Sequence, residues 1–285
     1  MTVRRIACVQ LRSGRDPLAN LARTEALVRE AADAGATYVQ TPEMTNILER
    51  SRDDLFQALK PEADDPTLAR LRAVAAERAI HIHVGSLAIL RADGKVANRA
   101  FVIGPDGGVL GAYDKIHMFD VDLPNGESWR ESATYTPGTD AVMVDAGGMT
   151  VGLGICYDVR FPHLFRAYGQ AGADLITAPA AFTRQTGLAH WHALQRARAI
   201  ENGCYLASAA QGGVHEDGRE TFGHSIVVDP WGAVVAELDH DEPGVLFADI
   251  DLAAVAAARG RIPSLKNERP FGLVPAERAR LRSLG

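Results

Sequence analysis

The sequence has few of the features that mark secreted, membrane-spanning or nucleic-acid-binding proteins. Its 285 residues include only three cysteines, an odd number that is too small for a scaffold of disulfide bonds. No apolar run approaches the roughly 18 residues of a membrane span, and the N-terminal segment has no apolar signal core. Acidic residues outnumber basic ones by 36 to 30, so the charge offers no footprint for nucleic acid. We therefore expect a cytoplasmic protein that binds neither a membrane nor a nucleic acid.

Lysine is also scarce, because only 4 of the 30 basic residues are lysines. A surface position is the simplest explanation for most of them, but a lysine kept in so arginine-rich a chain is also a candidate for a specific role. The remaining composition, with 47% hydrophobic and 23% charged residues, is that of an ordinary globular chain with a large core.

Strand and helix patterns alternate along both halves of the chain. Helix signals indicate one helix that begins near Pro17 and others over residues 66–78, 162–170 and 187–202. Asp64 or Asp65 would cap the second of these, whereas residues 116–140 show little periodicity and predict a long loop. No linker separates the halves, so we expect one α/β domain over residues 1–285, a sandwich of two sheets with helices outside. The segment from about residue 252 to 285 is a candidate interface tail.

Three side chains that can do chemistry each follow a predicted strand. Cys156 follows the strand VGLGI at a turn into a helix, Glu43 follows the strand YVQ, and Lys115 ends the strand VLGAYDK. Taken singly, each has a plain structural explanation: a small buried thiol, an acid at a helix N-terminus and a surface lysine. A helix N-terminus beside Cys156 would favour its thiolate. Because α/β sheets present such groups at the carboxyl ends of strands, the three can meet in one crevice.

Together the three residues would supply the parts of an acyl-transfer reaction. A cysteine is a nucleophile, a glutamate in a dry pocket can act as base and then as acid, and a lysine can stabilise an oxyanion. No histidine is needed, because burial can raise the pKa of a glutamate far enough. His81 and His83, two residues apart on one strand, offer the alternative of a metal-dependent amidohydrolase, but no further ligands lie near them in the sequence.

Five segments, in order and spacing, resemble the nitrilase superfamily of carbon–nitrogen hydrolases: TPE, YDKIHMFD, GICYDVRFP, AHWHALQRARAIENGCYL and GHSIVVDPWG. The resemblance spans about residues 4–271. It implies a four-layer αββα sandwich that forms a homodimer or a larger homo-oligomer. The letters CYD, in place of the CWE of true nitrilases, resemble the amidase branches, and the Nit-type amidases most of all.

The resemblance also implies a mechanism and its residues. It assigns Glu43, Lys115 and Cys156 to the family's Glu–Lys–Cys triad, and Glu131, in SWRESATYTPG, to the family's second glutamate. Lys115 and the backbone N–H of Tyr157 would hold the oxyanion of a reaction that passes through a thioester. Such a reaction needs no metal and no other cofactor.

The substrate that the resemblance implies is a small amide, either deaminated glutathione or an amide of a 2-oxo dicarboxylic acid. Residues 204–215 resemble the deaminated-glutathione group more closely. Phe182 and Thr186 are expected in the substrate pocket. Arg160, four residues after the nucleophile, is expected to bind a substrate carboxylate through its planar fork, with pairing to Asp158 as the alternative. Nitrilase activity, N-carbamoyl hydrolysis and a catalytically silent scaffold stay open as alternatives.

Overall fold

The computed structural model describes residues 3–124 and 126–274 of the chain. The strands in these residues are β1 (Val3–Gln10), β2 (Tyr38–Gln40), β3 (His81–Leu90), β4 (Val96–Ile103), β5 (Val109–Asp114), β6 (Asp120–Asp122), β7 (Ser128–Arg130), β8 (Met143–Asp145), β9 (Thr150–Leu153), β10 (Leu175–Thr177), β11 (Tyr205–Ser208), β12 (Gly212–Val214), β13 (Glu220–Phe222), β14 (Ile226–Val228), β15 (Val234–Glu237) and β16 (Gly244–Asp251). The α-helices are α1 (Pro17–Asp33), α2 (Arg52–Ala58), α3 (Pro66–Arg78), α4 (Pro162–Gln170), α5 (Arg184–Asn202) and α6 (Ala253–Arg261). Short 3₁₀ helices cover Glu62–Asp64, Glu131–Ala133 and Cys156–Arg160.

Two six-stranded sheets form the centre of the fold. The first has the strand order β16-β1-β2-β3-β4-β5, and the second has the order β15-β14-β11-β10-β9-β8. Strands β1, β2 and β3 are parallel to one another, as are β9, β10 and β11, while the outer strands pair antiparallel. Parallel neighbours end at the same edge of a sheet, so the loops that follow them lie close together.

The sheets pack face to face, and helices cover both outer faces. In β1, Ile6 and Cys8 belong to the core between the sheets, whereas Ala7 and Val9 pack with α1 and α3 on the outside. This alternation follows from the two-residue period of a strand. Helices α4 and α5 pack against the second sheet. The layers therefore run α, β, β, α, which confirms the predicted four-layer αββα sandwich.

Local signals place two helices at the residues predicted for them. Helix α3 spans Pro66–Arg78, and Asp65 is its cap because the Leu68 N–H donates to Asp65 Oδ1 at 2.8 Å. Helix α4 spans Pro162–Gln170. Both begin with a proline, which is suited to the first helical position because its missing N–H has no partner there.

Three elements that the sequence patterns did not indicate lie around one end of the sandwich. They are helix α2, the hairpin β6–β7 and the hairpin β12–β13. Residues 116–140 are therefore not a plain loop, because β6 and β7 pair within them. Each element has only three to seven residues, which is too short for a periodicity to show. All three contribute side chains to the cavity described below.

The C-terminal segment after α6 forms no helix or strand up to residue 274. Its side chains Phe271 and Leu273 are 93% and 92% exposed. The predicted interface tail covers residues 252–285. Its part after residue 274 lies outside the described residues. None of the described helices is long and apolar enough to cross a membrane.

Candidate active site

A cavity of about 300 Å³ opens at one end of the sandwich, where the loops that follow β2, β5, β9 and β10 meet. Four of its lining residues, Glu43, Lys115, Glu131 and Cys156, form a cluster that we call the floor; Glu43, Lys115 and Cys156 are buried, and the Glu131 side chain is 12% exposed. These four come from sequence positions up to 113 residues apart. The fold thus brings together the four side chains that the sequence singled out.

The Glu43 carboxylate has donors on both oxygens. Its Oε1 accepts from Lys115 Nζ at 2.8 Å and from Asn98 Nδ2 at 2.9 Å, and its Oε2 accepts from the Ala181 N–H at 2.8 Å. Gln211 holds the surrounding loop, because its Nε2 donates to the Glu43 carbonyl at 3.0 Å. Burial acts to raise the pKa of Glu43, but the Lys115 charge and the hydrogen bonds outweigh it and hold the pKa below its ordinary value. Glu43 is therefore ionised.

Lys115 is a buried ammonium between two carboxylates. Its side chain is 2% exposed, and its Nζ donates to Glu131 at 3.0 and 2.9 Å as well as to Glu43. Burial acts to lower the pKa of Lys115, but the charges of Glu131 and Glu43 raise it well above its ordinary value. Glu131 is itself held by the Phe119 N–H at 2.7 Å and by Asn98 Nδ2 at 3.1 Å. Lys115 is therefore protonated and fixed in position.

Cys156 is the first residue of a 3₁₀ helix and has a φ of 49°, a conformation that non-glycine residues rarely adopt. Its N–H donates to the Pro179 carbonyl at 2.9 Å. Burial raises the pKa of the Cys156 thiol well above its ordinary value, and Glu43 raises it further against the opposing charge of Lys115. The expectation of a helix end that favours the thiolate is therefore wrong, because burial and the carboxylate outweigh a helix of five residues. The residue is a neutral thiol beside an ionised glutamate.

Asp158 links the end of strand β5, next to Lys115, to the turn that carries Cys156. This fully buried carboxylate accepts from Tyr113 Oη at 2.7 Å and from the Ile155 N–H at 2.8 Å through Oδ2. Its Oδ1 accepts from the His117 N–H at 3.1 Å and lies 2.7 Å from His117 Nδ1. Tyr113 and His117 lie two residues before and after Lys115, and Ile155 immediately precedes Cys156. The Asp158 carboxylate thus connects the segment that carries Lys115 to the segment that carries Cys156.

The backbone N–H of Tyr157 has no hydrogen-bond partner within residues 3–124 and 126–274. Tyr157 directly follows Cys156 and lines the cavity. A free backbone donor next to a nucleophile, together with an ammonium, is the kind of donor pair that can stabilise an oxyanion.

Two of the three predicted substrate-binding residues, Phe182 and Thr186, line the cavity. Arg160 is not among the lining residues. Its Nη1 lies 3.3 Å from His190 Nδ1, and its guanidinium carbon lies 5.2 Å from the centroid of the Phe182 ring. Within the described residues, Arg160 is not paired with Asp158 either. The oxygens of the Asp158 carboxylate interact instead with Tyr113, His117 and Ile155.

The two histidines of the alternative metal site lie on β3. Burial lowers the pKa of His83 to about 3, and its Nδ1 lies 2.9 Å from Tyr38 Oη and 3.2 Å from Gln40 Nε2. His81 is half-buried, and burial also lowers its pKa. Among the described residues, no group of three or more histidine, cysteine and acidic side chains is arranged to hold a metal ion.

Asn98 and Gln211 are two residues of the site that the sequence reasoning missed. Asn98 Nδ2 donates to the carboxylates of both Glu43 and Glu131. Gln211 holds the loop that carries Glu43. A polar amide in the middle of the apolar strand Val96–Ile103 is the signal that could have identified Asn98, since buried polar groups are kept where they have partners.

Similar proteins are known by sequence over nearly the whole chain. A family model described as carbon-nitrogen hydrolase matches residues 5–260. The omega-amidase NIT2 of Mus musculus is 40% identical over 269 residues, which cover 94% of this chain and 96% of that protein. A deaminated glutathione amidase of Synechocystis sp. is 38% identical over 266 residues, which cover 92% of this chain and 96% of that protein.

Solved structures show the same architecture. The NitFhit protein of C. elegans matches with a TM-score of 0.88 and 35% identity, over 94% of this chain and 66% of that longer chain. A variant of an amidase from Nesterenkonia sp. AN1 matches with a TM-score of 0.78 and 29% identity, over 98% of this chain and 96% of that chain. In that structure the acetamide moiety of fluoroacetamide is covalently attached to the active-site cysteine.

Proposed function

This chain belongs to the carbon–nitrogen hydrolase family, and we propose that it is an amidase that cleaves the C–N bond of a linear amide through a thioester on Cys156. The observation that carries the proposal is the arrangement of the floor, where a neutral thiol lies beside the ionised Glu43 and the protonated Lys115. A nucleophile, a base next to its proton and a cation for the developing charge are the parts that acyl transfer requires.

Formation of the thioester begins with Glu43 as general base. Glu43 takes the thiol proton while Cys156 Sγ attacks the carbonyl carbon of the amide. The raised pKa of the thiol means that no free thiolate is stored in the buried site. A positioned base of this kind contributes a rate factor of about 10²–10⁴.

The charge that develops on the amide oxygen would be held by Lys115 Nζ and the Tyr157 N–H. Each such donor contributes about 3–4 kcal/mol to the stability of a transition state. Glu131 limits the movement of the ammonium, because both of its oxygens accept from Nζ. The donor is therefore in place before the substrate arrives.

The remaining steps return the site to its starting state. Glu43 gives its proton to the leaving nitrogen as the C–N bond breaks, which releases ammonia or an amine and leaves the acyl group on Cys156. Glu43 then takes a proton from water as the water oxygen attacks the thioester carbonyl. The thiolate leaves, Cys156 recovers the proton from Glu43, and the carboxylic acid departs.

The substrate class follows from the relatives. One is an omega-amidase and the other a deaminated glutathione amidase, and identities of 40% and 38% do not separate the two. We therefore propose an amide of a 2-oxo dicarboxylic acid or deaminated glutathione as the substrate. Phe182 and Thr186, which line the cavity, would contact it.

The test is ammonia release from a panel of primary amides, nitriles and N-carbamoyl compounds, with the wild-type protein and Cys156→Ala compared. We expect turnover of amides by the wild-type protein alone, with inactivation by a thiol alkylator and no effect of a chelator. A folded wild-type protein that releases no ammonia from any amide would refute the proposal. A preference for nitriles or N-carbamoyl compounds would replace it with one of those activities.

We also propose that the protein is a cytoplasmic homodimer that acts as one domain. Its three cysteines are free and buried, as in a reducing compartment, and the exposed Phe271 and Leu273 offer apolar surface to a second copy. Light scattering should give twice the chain mass of 30.6 kDa, and a monomer at micromolar concentration would contradict the dimer.

A further inference from the structure

We propose that Arg50, Trp129 and Arg219 form a carboxylate subsite at the rim of the cavity, so that the preferred amides carry an anionic group remote from the scissile bond. This inference rests on the proposed function, because it specifies the substrate class of the same cavity. All three residues line that cavity.

The subsite is assembled from three separate elements. Arg50 precedes α2, Trp129 lies in β7 and Arg219 lies in the turn between β12 and β13. The guanidinium carbons of Arg50 and Arg219 lie 4.5 and 5.0 Å from the centroid of the Trp129 ring. An arginine held against an aromatic ring is attracted to it and keeps its position. Both cations lie against the same ring, which places two positive charges together at one part of the rim.

Much of the hydrogen-bonding capacity of the two guanidinium groups is unused. Arg219 Nε donates to Asp217 Oδ2 at 2.8 Å, but its terminal amino groups have no partner among the described residues. Arg50 has no hydrogen bond and no ion pair within the same residues, whereas Arg130 at the same rim is paired with Asp122 at 2.9 Å. A guanidinium has five donors in a planar fork that fits a carboxylate.

The charges of the cavity determine where a substrate anion can lie. At the floor, Glu43 and Glu131 face the single cation Lys115, which leaves an excess of negative charge. At the rim, neither Arg50 nor Arg52 has an acidic partner in the described part of the chain. A carboxylate is repelled from the floor and attracted to the rim, so an anionic amide enters with its neutral amide group toward the nucleophile.

Acidic residues at the rim do not cancel this attraction. Glu49 forms an ion pair with Arg15, and Glu220 lies 3.9 Å from Arg184. Neither of these two arginines lines the cavity. Arg15 also pairs with Asp54, and Arg184 also pairs with Asp241. Within the subsite Arg219 is paired with Asp217 through Nε, so a ligand can use the charge of Arg50 and the terminal amino groups of Arg219.

The experiment compares glutaramate, the monoamide of a C5 dicarboxylic acid, with its uncharged methyl ester in the ammonia assay. The variants are Arg50→Gln, Arg219→Gln and the double variant, with Arg91→Gln as the control for loss of a partly exposed, ion-paired arginine. We expect the double variant to lower kcat/KM for glutaramate by about 100-fold and for the ester by less than about threefold. Added salt should lower kcat/KM for glutaramate in the wild-type protein and not in the double variant. The control should match the wild-type protein on both amides.

A binding measurement separates this inference from the proposed function. Calorimetry with full-length Cys156→Ala measures glutarate binding with and without the two arginines, and it requires no turnover. Glutarate binding that is lost in the double variant supports the subsite, even if no amide is hydrolysed and the proposed function fails. Equal losses of kcat/KM on both amides, or glutarate binding that is unaffected by the two substitutions, would overturn the subsite while hydrolysis itself stands.

Discussion

Replacing Asp158 by asparagine removes the link between the end of strand β5, next to Lys115, and the turn that carries Cys156, with almost no change in the size of the side chain. In the wild-type protein the carboxylate interacts with Tyr113 Oη, the Ile155 N–H and two groups of His117. An asparagine keeps one acceptor oxygen and places an NH₂ group where the other oxygen was. In either orientation of the asparagine amide, its NH₂ group faces one of the two pairs of donors, and that pair loses its acceptor.

The cost can be worked out from these contacts. A buried donor left without an acceptor costs about 1–3 kcal/mol, so two of them lower the free energy of unfolding by about 2–6 kcal/mol. In a chain of this length, each kcal/mol lowers Tm by about 2–4 °C. We therefore expect Asp158→Asn to melt on the order of 10 °C below the wild-type protein. The matched control is Asp106→Asn, an exposed aspartate that accepts from the Gly108 N–H and should change the free energy of unfolding by less than about 0.5 kcal/mol.

The same substitution should affect turnover through the position of Lys115 relative to Cys156. A displacement of about 1 Å in such a site can cost about 100-fold in rate, so we expect kcat to fall by that factor while KM changes less than threefold. Calorimetry gives Tm, and ammonia release at 15 °C gives kcat and KM for the folded variant. A normal kcat with a lowered Tm would show that Asp158 serves stability alone. A normal Tm would refute the hydrogen-bond argument itself.

Four further predictions concern other parts of the chain. Cys156→Ala should abolish ammonia release while changing the free energy of unfolding by less than about 1 kcal/mol in urea titrations, and retained turnover would exclude Cys156 as the nucleophile. Lys115→Arg should lower kcat by about 10²–10³-fold, because the planar guanidinium cannot take the place of a compact ammonium between two carboxylates; near-normal kcat would show that charge alone suffices. The Arg70 hydrogen bond holds the pKa of Glu25 at about 2 against its ordinary 4.5, so its contribution to stability is complete above pH 4.5 and is lost as the pH falls toward 2. Unfolding curves of Glu25→Gln should therefore depend less on pH in that range, and an unchanged pH dependence would contradict the assignment. Gly187→Ala should cost about 1–3 kcal/mol because its Cβ would lie 2.3 Å from Phe222 Cγ, whereas Gly260→Ala, with open space around it, should gain about 0.5–1 kcal/mol; equal effects in urea titrations would refute the packing argument.

The parts of the fold that depend on short-range signals were predictable from the sequence. Proline at the first position and a capping aspartate mark the start of Pro66–Arg78, and proline also opens Pro162–Gln170. The β12–β13 hairpin and helix α2 are too short for a periodicity to show, and their local signals, Asp217–Gly218 in the hairpin turn and the capping Ser51 before α2, were missed. The hairpin also depends on a contact with a distant segment. In the hairpin, for example, the Phe222 N–H donates to the Phe182 carbonyl at 2.9 Å, a contact that joins residues 40 positions apart.

At the site, too, only some properties could be predicted from the sequence. Strand ends and the family resemblance indicated the residues of the floor, but the protonation of the thiol depends on burial and on a carboxylate 113 residues away in the chain. Arg160 illustrates the same limit. Its spacing of four residues from Cys156 suggested a shared crevice, yet its guanidinium contacts His190 and the Phe182 ring. Spacing along the chain fixes where a Cα atom lies more firmly than where a long side chain points.

The protonated state of Cys156 also determines how the protein responds to oxidants. Peroxide attacks the thiolate and not the thiol, so a cysteine with a raised pKa enters the sulfenic acid stage slowly. Its burial further limits access by small oxidants. In the proposed mechanism the sulfur becomes reactive only when Glu43 removes its proton and a carbonyl carbon accepts the sulfur. We therefore expect the resting protein to be oxidised by peroxide more slowly than a protein that holds a preformed thiolate.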